Sequence, residues 1–351
     1  MSQEMRGISK LFLLVVALLF PVISVAQEIS PFRVVFWNAE NLFDTHHDSL
    51  KLDEEFLPSS LRGWHYGRYK KKLADISRVI TAIGEWTPPV LVGLCEVEND
   101  NVMRDLTKYS PLKEYGYQYV MTDSPDRRGI DVALLYQRDR FKLLESQFLR
   151  INSESLGYFP TRDILHVTGQ LLNGDSLDVF VCHFPSRSGG EKETEPYRLL
   201  VARTLKNTVD SLFAVRYCPQ VIIMGDLNDY PHSKSVATIL NATFPPPQHP
   251  GRNGLYHLLA RKAKQSNYGS YKYQGEWGLF DHIIVSGSLL DPGSTFHTDE
   301  SKAYVAHLPC LLIEDGKYGG KQPFRTYYGM KYQGGFSDHL PVYVDLIETS
   351  F

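Results

Sequence analysis

Cysteine is scarce in this 351-residue sequence: there are four, and none stands in a Cys-x-x-Cys spacing. A thiolate zinc module is therefore excluded. Cys95 and Cys182 fall inside apolar runs, which makes them packed core thiols rather than reactive ones. Three other signatures are missing: His-Glu-x-x-His, Gly-x-Ser-x-Gly and a Gly-Lys-Ser/Thr phosphate loop. Zincin-type proteolysis, serine-esterase chemistry on a nucleophile elbow and P-loop nucleotide hydrolysis go with them. Excess positive charge is also absent, the formal net charge being -3. A general nucleic-acid binder carries a basic footprint. A nuclease survives this test, because carboxylates that hold a metal are themselves acidic.

Long apolar runs are limited to one, Leu11 to Val25, behind Arg6 and Lys10 and ahead of the small residues Ser24-Val25-Ala26. That order reads as a signal peptide over residues 1–26, cleaved after Ala26, with export to the periplasm or beyond. Pro21 interrupts the run, which is shorter than the roughly 20 residues a spanning helix needs. No Cys follows it to carry a lipid. Losing Arg6, Lys10 and Glu4 takes the 37 basic and 40 acidic residues to 35 and 39 and the net charge to -4. There is no internal repeat, low-complexity tract or linker, so residues 27–351 read as a single domain, expected to act as a monomer without an obligate protein partner.

What is present is a series of short apolar strands with a few helices. Strands are expected at 32–37, 90–94, 117–122, 132–136, 164–171, 177–182, 221–224, 282–286 and 342–346. Helical periodicity covers 69–84, where Leu73, Ile76, Ile80 and Ile83 share a face, and 197–213. The basic run Arg68, Lys70, Lys71, Lys72 reads as a solvated helix face. Runs such as VLVGLC and VIIMGD are apolar on both faces, so each sheet must be covered on both sides. Two stacked sheets with helices outside meet that need. Residues 288–336, rich in Gly, Tyr and Lys, read as a surface excursion.

Polar residues recur where these strands end or begin. Asn38 and Glu40, Glu96 and Glu98, His183, and Asp226 and Asn228 follow strands; Asp281 and Asp338-His339 precede them. A spacing of two points both members of a pair to one face of an extended segment. Gathered on one rim, these carboxylates repel one another unless a cation neutralises them. Oxygen ligands of this kind suit Mg²⁺ or Mn²⁺ better than zinc.

The strings WNAENLF, LCEVEN, VCHFPS, GDLND, FDHIIVS and SDHLPV, in this order over nearly the whole mature chain, resemble the endonuclease/exonuclease/phosphatase superfamily. The resemblance implies an α/β fold, a four-layer α-β-β-α sandwich of two mixed sheets flanked by helices, and Mg²⁺- or Mn²⁺-dependent phosphoester hydrolysis. It implies Glu96 as the principal metal ligand with Asn38, Glu40 and Asp338 beside it. It makes Asp226 the group that holds or deprotonates the attacking water, Asn228 a donor to a phosphoryl oxygen, and Asp281 and His339 a carboxylate-imidazole pair. His183 stands where the deoxyribonuclease branch places the His that protonates the leaving oxygen, and Asp123 resembles the carboxylate that orients it. From the residues themselves, Arg128 and Arg187 are phosphate contacts of bidentate type, weighed against ordinary surface arginines. Asp131 begins a strand near the same rim, in reach of phosphate or metal. Glu98 reads as a rim charge, His282 as pointing away from Asp281, and His46 and His47 as loop residues.

The first substrate expected is a nucleic-acid phosphodiester, on the strength of His183 and Asp123. A phosphatase or phospholipase acting on inositol phosphate or sphingomyelin is the alternative, favoured by the negative net charge. The flap residues Lys317, Lys321, Arg325, Tyr327, Tyr328 and Lys331 serve either reading. A non-catalytic binding module would have lost a catalytic residue, and none is missing.

Overall fold

The computed structural model describes residues 31–348 apart from positions 247 and 249, so the expected signal peptide lies outside the described residues. The strands are β1 Phe32–Leu42, β2 Leu91–Val97, β3 Gln118–Met121, β4 Asp131–Tyr136, β5 Lys142–Leu149, β6 Ile164–Gln170, β7 Ser176–His183, β8 Gln220–Asp226, β9 Ala242–Thr243 and β10 Leu255–His257. They continue with β11 Tyr271–Tyr273, β12 Glu276–Gly278, β13 Asp281–Ser286, β14 Phe296–His297, β15 Ala303–Val305, β16 Leu312–Glu314, β17 Lys321–Pro323, β18 Tyr327–Tyr328, β19 Lys331–Tyr332 and β20 Val342–Glu348.

Two seven-stranded sheets carry the fold. One runs β14-β20-β1-β2-β4-β3, with β15 also on β20; the other runs β5-β6-β7-β8-β13-β10-β9. Both are mixed, since β1 with β2 and β7 with β8 are parallel inside otherwise largely antiparallel ladders. Every residue of β4, β8 and β13 is buried, as strands covered on both faces must be. Between the sheets Gly93 of β2 faces Met224 of β8, and a Cβ there would come within 2.8 Å of the Met224 side chain. Any larger residue at that point would make the Met224 side chain move aside.

Helices close the outer layers. α1 (Tyr66–Gly84) buries Leu73, Ile76, Ile80 and Ile83 and begins at His65, whose ring accepts the Gly67 amide. α2 (Asp100–Lys108) begins at Asn99, which caps the Val102 amide at 3.0 Å. α3 (Glu191–Val215) packs Val201, Leu205, Val209 and Phe213 with Phe180 and Ile223 of the second sheet. The result is the four-layer α-β-β-α sandwich. No described helix is long and apolar enough to cross a membrane. All four cysteines are unpaired, Cys95 and Cys182 buried.

The excursion over 288–336 is more than surface. β14 and β15 extend the first sheet through β20, and Leu289, Leu311 and Tyr327 are buried. Lys72 also departs from the solvated face expected of its basic run, being 2% exposed. Its ammonium donates to Thr326 Oγ1 at 2.6 Å and to the Phe336 carbonyl, so it ties this segment to α1.

Candidate active site

Strand register assembles the centre of the site. His183 at the end of β7 is paired with Asp226 at the end of β8, and Asp226 is paired with Asp281 at the start of β13. Three neighbouring strands thus place three candidate site residues in a row at one end of the second sheet. From the facing sheet, Asn38 of β1 reaches Asp226, Nδ2 to Oδ2 at 3.1 Å. His339 arrives on the turn before β20, held by Trp37 Nε1 donating to its carbonyl at 2.9 Å and by its amide on Ser337 Oγ at 3.0 Å. Its Nδ1 is 2.7 Å from Asp281 Oδ2 and its Nε2 is 3.8 Å from Asp226 Oδ2.

Backbone strain aims the acidic residues. Register slips between Asn38 and Leu42 of β1 and between Cys95 and Val97 of β2. At those bulges Glu40, Asn41 and Glu96 take φ of 49°, 55° and 57°, and Asn228 in the loop after β8 takes 49°. Non-glycine residues held there cost about 1–3 kcal/mol each and cluster at functional sites. The bulge also breaks the two-residue alternation, so Glu96 and Glu98 do not share a face. Glu96 stays at the rim, its Oε2 accepting the Asn41 amide at 3.0 Å and its Oε1 3.9 Å from His183 Nε2. Glu98 turns inward to accept the Asp44 amide at 2.7 Å, and burial pushes its pKa up to about 8.

The charges are set by burial and neighbours. Burial raises the Asp226 pKa to about 7, with the His339 charge opposing it. For His339 burial works downward, but the Asp281 and Asp226 charges and the Asp281 hydrogen bond outweigh it and hold the imidazole well above its ordinary pKa. His183 is driven well below, by burial first and then by the Arg162 and Arg128 charges. One histidine is thus charged and the other neutral around a carboxylate that titrates near neutrality, an arrangement suited to proton transfer.

Several residues stand differently from expectation. Asn38 accepts the Glu40 amide on Oδ1 and donates Nδ2 to Asp226, so it orders the carboxylate and keeps a second Oδ1 lone pair for a cation. Glu40 accepts the Thr326 amide at 2.6 Å and the Tyr327 amide at 3.4 Å, and burial raises its pKa to about 7. Asp338 pairs with Arg325. Asn228 lends its amide to Asp226 at 2.9 Å and one Nδ2 hydrogen to the Phe184 carbonyl at 3.0 Å, which leaves its second Nδ2 hydrogen for a substrate.

Arg128 is at the rim, bonded to Asn41 and 3.7 Å from Glu96. Arg187 stands further out, paired with Glu191 and lying over the Tyr230 and Phe280 rings. Asp131 must be corrected: buried at the start of β4, it accepts the Thr122 and Ser124 hydroxyls and the Ser124 amide, so it closes a turn instead of standing open at the rim. Asp123 must be corrected too. It is exposed, its backbone carbonyl faces Arg150 at 3.5 Å, and no contact joins its carboxylate to His183, whose Nδ1 is buried without a partner.

Three residues escaped the sequence reading as site components. Arg162 donates to the Phe184 carbonyl at 2.6 Å and to Asp126 at 3.1 Å beneath His183. Lys72 and Arg325 flank Glu40. Nothing local in the sequence marks Arg162 or Lys72; Arg325 was visible only as one cation of the flap.

The donor chemistry fits a hard cation. Ligand atoms of Asp226, Asp281 and His339 lie within 4.8 Å of one another, and Asp281 Oδ1 is buried without a partner. Asp226 accepts from Asn38 and Asn228 and Asp338 is paired with Arg325, so the oxygens freest to hold the ion are Asp281 Oδ1 and, at the rim, Glu96 Oε1.

The family model described as Endonuclease/Exonuclease/phosphatase family matches residues 33–348. Among curated proteins no sequence matches significantly. Similar solved structures include the human nocturnin catalytic domain with bound sulfate, 17% identical, covering 91% of this chain and 94% of that one at TM-score 0.56. The mannosyl-6-phosphatase of Bacteroides thetaiotaomicron is 17% identical, with coverage of 90% and 99% and TM-score 0.55. D. rerio TDP2 complexed with single strand DNA product is 16% identical, with coverage of 90% and 99% and TM-score 0.53. At these identities the neighbours speak for the fold, while the model match spans nearly all the described residues. The chain belongs to the endonuclease/exonuclease/phosphatase family.

Proposed function

We propose that this chain is an exported phosphoesterase that uses Mg²⁺ or Mn²⁺ to hydrolyse phosphodiesters, with nucleic acid the first substrate to test. The observation that carries the reading is the row His183, Asp226, Asp281 across three paired strands, faced by Asn38 and closed by His339. Asp226, with a pKa near 7 and ordered by Asn38 and the Asn228 amide, is suited to accept the proton of an attacking water. His339, kept charged by Asp281, stabilises negative charge developing on phosphoryl oxygens. Asn228 adds a neutral donor, and His183 faces the same point from the other side, 3.8 Å from Asp226. Glu96 and its neighbours would hold a divalent ion, which when bound would supply charge neutralisation at the phosphate. D. rerio TDP2, which shares the fold, is described in complex with a single-strand DNA product.

A second reading, phosphomonoester hydrolysis, is favoured by one specific observation. The nuclease expectation drew on an Asp123-oriented His183, and these two residues do not meet. The Bacteroides neighbour is named as a mannosyl-6-phosphatase. The deciding assay uses residues 27–351 with Mg²⁺ or Mn²⁺ against plasmid DNA, single-stranded RNA, inositol phosphates, a sugar phosphate and sphingomyelin. Cleavage of DNA or RNA is the expected result. Turnover of monoesters alone selects the second reading, and inertness toward all of them with metal bound overturns both.

A further inference from the structure

We propose that Arg325 is an anchor for a non-bridging oxygen of the substrate phosphate, an inference that rests on the phosphoesterase reading above. The backbone on both sides of Arg325 is pinned. The Phe324 amide donates to the Leu311 carbonyl at 2.8 Å, the Phe324 carbonyl accepts the Phe336 amide at 2.6 Å, and the Thr326 and Tyr327 amides end on Glu40. Lys72, buried, holds Thr326 from below. Gly335 lies directly against this stretch, where a Cβ would come within 2.2 Å of the Phe324 carbonyl oxygen and 2.5 Å of that of Arg325. So much fastening of a loop fixes one position, and the side chain at that position is a guanidinium beside the catalytic cluster.

The guanidinium is only partly used by the protein. Nη2 is bonded to Asp338, next in sequence to His339. Nε is buried without a hydrogen-bond partner, with Glu40 Oε1 3.8 Å away. No acceptor among the described residues takes Nη1. The side chain remains 34% exposed. A planar fork with one arm braced on a carboxylate and another open at the rim is pre-organised to receive an anionic oxygen, which a lysine ammonium would meet only as a point charge. Arg128, 3.7 Å from Glu96, offers a second guanidinium at this rim. The competing account makes Arg325 a counter-charge for Glu40 and Asp338 and nothing more.

Calorimetric titration of inorganic phosphate into the Mg²⁺-saturated protein separates the two, run beside Mg²⁺ titrations and thermal melts on the wild type, Arg325→Gln and Arg325→Lys. The anchor requires phosphate affinity to fall about tenfold or more in Arg325→Gln, with a smaller loss in Arg325→Lys, which keeps the charge and so the pairing with Asp338. Mg²⁺ affinity should hold or rise, since Asp338 is released. A counter-charge alone would lower the melting temperature and leave phosphate affinity at the wild-type value, which overturns the anchor and leaves the phosphoesterase reading standing. Should Arg325→Gln fail to fold, Arg325→Lys decides: unchanged phosphate affinity there also overturns the anchor. A wild-type protein that binds no phosphate overturns the anchor, and the substrate assay above then decides the phosphoesterase reading.

Discussion

His339 Nδ1 and Asp281 Oδ2 lie 2.7 Å apart with both side chains buried, and this pair fixes which way the imidazole faces and what charge it carries. Nδ1 on the carboxylate leaves Nε2 directed at Asp226. Burial alone would neutralise the ring; the Asp281 and Asp226 charges reverse that. In Asp281→Asn the raising influence is lost, His339 deprotonates at lower pH, and the alkaline limb of the turnover profile should move to lower pH. Turnover at pH 8 should fall at least ~10²-fold, the scale of a lost acid-base partner, with a smaller loss at pH 6. An equal loss at every pH would show that Asp281 only supports packing.

Asp226 and His339 face each other at 3.8 Å, and the proposed reaction has them act on one centre. Asp226→Ala and His339→Ala should each lower turnover at least ~10²-fold. The double variant should lose less than the product, because groups acting as one unit are not additive. Simple multiplication of the two losses would assign them independent roles.

Metal dependence should show at Glu96. Chelation should abolish activity, and added Mg²⁺ or Mn²⁺ should restore it. Glu96→Gln keeps the Asn41 amide bond but removes the charge. Its metal requirement should rise at least about tenfold, since removing even a group that only orients a ligand costs about ten- to hundredfold in metal affinity. Full activity in chelator is the result that defeats the assignment.

A different pair of histidines should set an acid limit on stability. His257 Nε2 lies 2.6 Å from His282 Nδ1, His282 Nε2 lies 2.9 Å from the Asp229 carbonyl, and His257 Nδ1 accepts the Leu259 amide. That chain of bonds is satisfied only with both rings neutral. Burial depresses both, His257 well below its ordinary value and His282 to about 4. The sign follows: above the unfolded pKa of about 6.5 their contribution is fully present, and it is lost as pH falls from there toward the folded values. Each histidine should add a slope of ~1.4 kcal/mol per pH unit in that window. His257→Gln should be less stable than wild type at pH 7.5, yet lose less on going to pH 5. Parallel denaturation curves for the two proteins across that range would contradict the account.

The readable and unreadable parts of this protein divide along physical lines. Strands buried on both faces announce themselves as continuous apolar runs, which is why β1, β2, β4, β7, β8 and β13 were legible with the polar residues at their ends. β5 was not, because most of its residues are exposed and leave no apolar run. The Glu96 and Glu98 spacing misled because alternation assumes regular extended backbone, and Glu96 sits at φ 57° in a bulge. Lys72 looked like surface charge because a basic run says nothing about which loop will later cover it. Asp123 lies in a connection whose path depends on tertiary contacts, where Asp131 takes the Thr122 and Ser124 hydroxyls and the carboxylate of 123 is left facing solvent.

His183 offers the most discriminating test of chemistry. Its Nε2 faces both Glu96 and Asp226, at 3.9 and 3.8 Å, while its buried Nδ1 has no partner and Arg162 and Arg128 add to burial in keeping it neutral. A neutral imidazole must first take up a proton, which an anionic phosphate bound beside it favours; if His183 then delivers that proton to the departing oxygen, its value depends on how badly that oxygen needs one. A sugar or alkyl alkoxide must be protonated as the bond breaks, whereas a nitrophenolate leaves unaided. His183→Ala should then slow cleavage of a nucleic-acid diester by ~10² to 10⁴ and affect a nitrophenyl diester far less. Measuring both substrates on the same preparation removes any difference in folding or metal content from the comparison. Equal losses would mean that His183 serves only to space Glu96 from Asp226, and protonation of the leaving group would then have to come from solvent or from the charged His339.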